Sequence, residues 1–230
     1  MKVIITGVTG FLGSEMLRQC IANSQITSVV TLARRDLAPE FQNEKKIIAI
    51  KKQDFGSYSD EELEKMKGAI GCLWTMGTTP GRARQMTYEQ LKLTEQDWVV
   101  QSADAFSKLP EGRKFTFIYT SGFLVPDVES LDKPMWVAED MRKLRGFTEK
   151  RLYDLEKEEK ILAVVTKPAW ITNGESFFGR LTWGTMNVAK EAMAAAYIDT
   201  VLNGRQKQTY LNKDLRTHGA EALKKFAENK

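Results

Sequence analysis

Residues 7–13 read GVTGFLG, follow the apolar run KVIIT at 2–6, and lead into an amphipathic pattern. Glycines at this spacing have a physical task at a strand-to-helix junction. Gly7 permits a tight turn, Gly10 lets backbone approach a pyrophosphate, and Gly13 allows the helix to pack closely on the strand. The front of the helix then offers unpaired N–H groups and a positive dipole end to an anion. Thr9, Phe11 and Leu12 complete this candidate loop. A second cluster, Arg34-Arg35, closes the run SVVTLA at 28–33. Sites that read an unmodified ribose place an acid here, whereas two guanidinium forks suit a 2′-phosphate. Together the clusters predict a dinucleotide site that prefers NADP(H) over NAD(H).

Two further turns belong to the same edge. Asp54-Phe55 follows the third apolar run and either flanks an adenine or closes an ordinary turn. Gly77-Thr78-Thr79 follows the fourth, where small residues let the chain pass close to a ribose and pyrophosphate. A different chemistry is suggested by YDLEK at 153–157. A lysine near a tyrosine pulls the phenol pKa down from about 10 toward neutrality and makes it a proton donor.

Positioning these groups requires a sheet. The runs at 2–6, 28–33, 46–50, 69–74, 114–120 and 161–166 are β-rich and nearly continuous, as in strands buried on both faces of a parallel sheet. Helical patterns at 11–23, 60–67, 86–108, 137–160 and 183–203 alternate with them. A weaker strand at 208–212 precedes a terminal helix. The alternation predicts an α/β, doubly wound Rossmann-type parallel sheet with helices on both faces. No repeat or linker interrupts it, so residues 1–230 are read as one domain.

Composition narrows the partners. A net charge of +4 from 34 basic and 30 acidic residues, with no long basic block, predicts no nucleic-acid partner. No stretch reaches the ~18 apolar residues of a membrane span, and residues 1–13 do not read as a signal peptide. Cys20 and Cys72 fit buried free thiols in a reducing compartment, so a cytoplasmic location is expected. The two cysteines and His218 have no metal-ligand spacing, and His218 lies too far along the chain for a Ser-His-acid triad.

TGVTGFLG, the ARR segment, GTTPGRA after the fourth strand, YTSG after the fifth, TKPAW after the sixth and QTYLNKDLRTHG near the end together resemble the atypical short-chain dehydrogenase/reductases. The nearest branch is that of the NmrA-like and Tat-interacting-protein-like proteins, and the likeness covers nearly the whole chain. It implies that a Ser after strand five orients a substrate carbonyl, which Ser121 matches. It also implies a Tyr opening the next helix as proton donor and a Lys four residues later that holds the nicotinamide ribose. Aligning LRGFTEK with the corresponding helix puts Met141 at the Tyr position and Arg145 at the Lys position, and the same likeness places Pro168 beside the cofactor.

Tyr153 lies 12 residues beyond Met141, roughly 18 Å down the helix axis. YDLEK is therefore read as a coincidence on a charged helix. Met141 has no proton to give, and the pKa of Arg145, above about 12, makes it a poor acid. The remaining proton sources are Ser121 with a water chain, Lys133, Asp127 and Asp140. Phe123, Trp136, Trp170 and Phe177, in loops 121–136 and 167–183, predict an apolar substrate region.

The resulting expectation is an NADP(H)-dependent oxidoreductase of a hydrophobic small molecule without the standard Tyr/Lys pair. The alternatives are an isomerase, dehydratase or cyclase on the same scaffold, and a protein that senses NADP(H) or binds a partner. The resemblance also makes helices 86–108 and 137–160 the candidate face of a homodimer.

Overall fold

The computed structural model describes residues 1–110, 112–174 and 186–228. Its first half contains β1 (Lys2–Thr6), α1 (Phe11–Ala22), β2 (Ser28–Ala33), β3 (Ile47–Lys51), α2 (Asp60–Met66), β4 (Ala69–Trp74), α3 (Pro80–Ala83), α4 (Tyr88–Lys92) and α5 (Trp98–Phe106). Its second half contains β5 (Phe115–Thr120), α6 (Glu139–Lys157), β6 (Ile161–Lys167), β7 (Trp170–Thr172), β8 (Asn187–Ala189), α7 (Lys190–Asn203), β9 (Thr209–Leu211) and α8 (Asn212–Glu228).

Seven strands form one parallel sheet in the order β3-β2-β1-β4-β5-β6-β9. Every residue of β4 is buried, as the unbroken run AIGCLW requires of a strand covered on both faces. On one face α1, α7 and α8 pack over Val3, Ile5, Val29 and Val164. On the other, α2, α5 and α6 pack over Ile4, Val30, Cys72 and Phe117. The chain leaves β1 toward β2 and β3, then returns to β4 on the other side of β1. This reversal opens a crevice at the carboxyl ends of β1 and β4, where ligands bind in open α/β sheets.

Three departures from the sequence reading matter for that edge. The pattern at 86–108 is interrupted: α4 and α5 are joined by one turn of the wider π form over Leu93–Asp97, which turns Glu95 inward. Residues 187–189 form β8 rather than the start of a helix, and pair in parallel with β7 as a separate two-stranded ribbon. Strands this short show no periodicity of their own. The GTTPGRA turn contains α3, which Pro80 opens and the Thr79 hydroxyl caps. Cys20 and Cys72 are buried free thiols, and burial pushes both pKa values up.

Helices α7 and α8 approach so closely that a Cβ on Gly219 would stand 2.1 Å from the Ala192 carbonyl oxygen. Gly219→Ala is expected to destabilise the fold by about 1–3 kcal/mol through overpacking. Urea denaturation measures this, and an unchanged midpoint would contradict the contact.

Candidate functional site

At the end of β1 the chain turns through Gly7 with φ of +70°, a region that penalises any side chain. Space is as restrictive as conformation. A Cβ on Gly7 would stand 2.6 Å from Thr75 Oγ1, and one on Gly13 would stand 2.2 Å from the Gly7 carbonyl oxygen. The Gly10 N–H donates to that same carbonyl at 2.8 Å, which closes the turn. Helix α1 then starts without a capping side chain and without an acid in its first turn. Helix α2, by contrast, has a Ser59–Glu62 capping box and three acids in its first turn. The front of α1 is electrostatically bare, as an anion-binding terminus must be.

Arg34 and Arg35 are exposed just beyond β2. Arg35 Nη2 donates to Thr9 Oγ1 at 3.3 Å and so leans over the glycine loop. The next acid, Asp36, is turned aside by Lys51 at 2.9 Å. Thr9, Gly10 and Phe11 are exposed at the loop, while the Leu12 side chain anchors α1 in the core.

The Asp54 carboxylate accepts the Gly56 N–H at 2.8 Å, the Ser57 hydroxyl at 2.6 Å and the Trp98 indole N–H at 2.9 Å. The Ser57 bond, followed by that from Gly56, lowers its pKa. Asp54 thus organises the turn while remaining at the surface. Phe55 needs correction: its ring is buried against Trp74 and Trp98, and its carbonyl accepts the Ser102 hydroxyl, so it offers no side chain to an adenine.

The nicotinamide end departs further from expectation. Arg145 is no free cation over the site. Its side chain is 12% exposed, and Nε donates to Glu95 Oε2 at 2.8 Å. Nη2 donates to the Thr78 carbonyl at 2.7 Å and Nη1 to the Ser121 carbonyl at 3.3 Å. Glu95 Oε1 accepts the Thr78 N–H at 2.5 Å. Burial works against the guanidinium charge, but Glu95, Tyr119 and Glu149 together outweigh it and raise the Arg145 pKa. The pair thus clasps the loops after β4 and β5, with Gly77 and Gly122 lying directly on the guanidinium nitrogens. Thr79 serves as the cap of α3.

Met141 occupies the first turn of α6 as expected, but it is buried with Ala83, Leu91 and Leu144 in a small apolar cluster. Ser121 is also corrected. Its hydroxyl is buried and donates to Glu149 Oε1 at 2.5 Å, not outward to a substrate carbonyl. Glu149 Oε2 meets Lys167 Nζ at 3.0 Å, and burial raises the Glu149 pKa. Asp127 stands 3.6 Å from Lys167 on the solvent side. Pro168 is buried, and its carbonyl accepts the Phe123 N–H at 2.9 Å.

Tyr153 lies away from this corner. Its hydroxyl bonds Thr209 Oγ1 on β9 at 2.7 Å, burial pushes its pKa up to about 12, and the Lys157 side chain points into solvent.

Phe123, Trp136 and Trp170 are all exposed, Trp136 completely. Arg142 ties the segments of Phe123 and Trp136 by donating to the Leu124 carbonyl at 2.6 Å and the Val137 carbonyl at 3.5 Å. The three are exposed rather than buried in a pocket wall. Phe177, with the neighbouring Phe178 and Trp183, lies outside the described residues. A cavity of about 880 Å³ between α1, α7 and α8 is lined by Arg18, Asp199 and Lys225, away from the loops described above. Asp199 there holds the buried His218 at 2.6 Å. Among the described residues no group of His, Cys, Asp and Glu could hold a metal ion, and no helix is long and apolar enough to cross a membrane.

Glu95, Glu149 and Lys167 were not singled out from the sequence. The available signal was a carboxylate on an otherwise apolar stripe: Leu91, Glu95, Trp98, Val99 and Ser102 share the buried face of their helix.

The geometry agrees with known folds. The chain superposes on the dTDP-glucose 4,6-dehydratase DesIV of Streptomyces venezuelae with a TM-score of 0.71 and 12% identity, covering 99% of this chain and 81% of that one. Gre2 of Candida albicans, solved with NADPH, gives 0.68 and 18%, covering 92% and 77%. Vestitone reductase of alfalfa gives 0.64 and 20%, covering 91% and 76%. These likenesses show the fold, a doubly wound Rossmann-type parallel sheet with helices on both faces. No protein-family model matches the chain. In sequence it is 35% identical over 121 residues to the leucinostatins biosynthesis cluster protein T of Purpureocillium lilacinum, a match spanning 53% of this chain and 42% of that protein.

Two measurements test this geometry. Glu95→Ala leaves Arg145 buried without its carboxylate and is expected to cost about 3–5 kcal/mol of stability; a loss of a few tenths in chemical denaturation would refute the clasp. Tyr153→Phe is expected to cost about 1 kcal/mol and to leave dinucleotide affinity unchanged in a fluorescence titration, whereas a binding defect would return Tyr153 to the site.

Proposed function

We propose that this chain binds NADP(H) and serves as an oxidoreductase on a hydrophobic small molecule, without the standard Tyr/Lys pair. The observation that carries the reading is the Arg35–Thr9 hydrogen bond, which brings a guanidinium to the rim of a glycine loop whose helix front is bare. The cradle fits the group: Gly7 and Gly13 occupy positions that a single Cβ would fill. Amides at the front of α1 would hold the pyrophosphate, Arg35 and Arg34 the 2′-phosphate, and the Gly77–Thr78 backbone the neighbouring ribose. Bound NADP(H) supplies hydride chemistry. Met141 keeps a phenol out of the proton-donor position, and Ser121 keeps its hydroxyl on Glu149. The acceptor therefore takes its proton from water beside the exposed Phe123, Trp136 and Trp170.

Reduction is supported by the fold neighbours that are described as reductases, vestitone reductase and the PhqB reductase domain of Penicillium fellutanum among them. A small-molecule substrate is supported by the relative from a biosynthesis cluster. The buried free thiols fit a reducing, cytoplasmic setting. A second reading, an NADP(H)-sensing protein without turnover, is favoured by one observation: Met141, Arg145 and Ser121 are all engaged with the protein interior.

Titration with NADPH and NADH tests the proposal. NADPH is expected to bind more tightly, and Arg35→Ala to weaken NADPH roughly tenfold through loss of a charge-assisted bond while sparing NADH. Equal affinity of the wild type for the two refutes the preference. Loss of NADPH absorbance with a panel of apolar aldehydes, ketones and enones separates the two readings: oxidation supports the reductase, and tight binding without oxidation supports the sensor.

A further inference from the structure

Resting on the dinucleotide reading above, we propose that Lys190 is a pyrophosphate-gripping residue, a second cation at the glycine loop supplied by the carboxyl-terminal half of the chain. Its Nζ lies 5.1 Å from the centre of the Phe11 ring. Phe11 is the first residue of α1, and its main chain belongs to the bare helix front that faces the phosphate position. Lys190 is in turn the first residue of α7. The two helices pack side by side, since Gln19 of α1 donates to the Glu191 carbonyl at 3.0 Å.

Among the described residues the ammonium has only a loose ion pair. Its separation from Glu191 Oε1 is 4.0 Å, the outer limit of an ion pair, although its side chain is only 20% exposed. The two nearby acids feel the Lys190 charge, Glu15 at longer range, but take their hydrogen bonds from other donors. Glu15 accepts from Arg18 at 3.0 Å and from Gln19 at 2.7 Å, and Glu191 Oε2 accepts the Gly174 N–H at 3.2 Å. An aromatic face attracts a cation weakly, whereas a phosphate oxygen accepts a charge-assisted hydrogen bond. Rotation about the flexible four-carbon stem carries the ammonium from the ring to a phosphate at the front of α1. Arg35 and Lys190 then divide the anion between them, the first reading the 2′-phosphate and the second the pyrophosphate.

This division predicts ligand-dependent effects. Wild type, Lys190→Met and Lys190→Arg are titrated with NADPH and with adenosine 2′-monophosphate, which carries the 2′-phosphate but no pyrophosphate. Lys190→Met is expected to weaken NADPH roughly tenfold, to leave the monophosphate unchanged and to melt with the wild type, while Lys190→Arg restores most of the NADPH affinity. NADPH binding by Lys190→Met at wild-type strength overturns the assignment of Lys190 alone, and so does a parallel loss of both ligands. A wild-type chain that binds neither ligand overturns the dinucleotide reading itself, and Lys190 with it.

Discussion

Everything at the carboxyl edge depends on how closely three backbone segments converge where β1 passes into α1. Gly7, Gly13 and Thr75 meet at distances that exclude even a methyl group. The Thr75 hydroxyl donates to the Thr6 carbonyl at 2.6 Å, which locks the exit of β4 to the exit of β1. That lock defines the floor of the crevice at the point where strand order reverses. With the floor raised this far, the front of α1 starts at Gly10 with no side chain capping its amides. The positive potential there follows from sterics first and from charge second.

The other half of the crevice is governed by buried carboxylates. Glu95 enters the interior through a single widened turn, the kind of irregularity that often marks a functional site. It meets Arg145 from α6, and between them they fix the loops that follow β4 and β5. Glu149 and Lys167 do the same one turn deeper, holding Ser121 inward. Each charge would be costly alone in this setting and is tolerable because its partner and the surrounding main chain complete its hydrogen bonds. Ser121, Arg145 and Met141 are thereby all engaged with the protein interior.

Much of this was legible in the residues, and unequally so. The strands announced themselves as continuous apolar runs, and the glycine loop could be read because its three small residues answer a local steric demand. Helix rise alone set Tyr153 well down the axis from Met141, and its hydroxyl bonds Thr209 on β9. Three kinds of feature stayed hidden. The π turn and the β7–β8 ribbon arise from tertiary pairing, which leaves no period in a short segment. The Glu95–Arg145 clasp joins residues 50 positions apart, so neither partner marks the other in the sequence. Phe55 was assigned to the ligand because it follows Asp54, but alternation past a strand end sends adjacent side chains in different directions, one to the surface and one into the aromatic core.

The two halves of the crevice also differ in what they can contribute to a ligand. At the end where the adenosine is proposed to bind, Arg34 and Arg35 are exposed, and among the described residues Thr9 is the side chain Arg35 would have to give up, so a phosphate arriving there would displace water and little else. At the nicotinamide end, Arg145 could turn toward a ligand only by abandoning Glu95, which would leave a carboxylate buried at 1% exposure without its cation. The cost of that exchange exceeds what a ribose hydroxyl returns. On the proposed reading, binding energy would therefore be concentrated at the phosphates, and the reacting end of the dinucleotide would be positioned by main chain rather than by a mobile cation. On the same reading, such a crevice would hold its cofactor by the phosphates, and selectivity would rest on the fit of an apolar molecule against the exposed Phe123, Trp136 and Trp170 rather than on a polar group that reads the reacting atom.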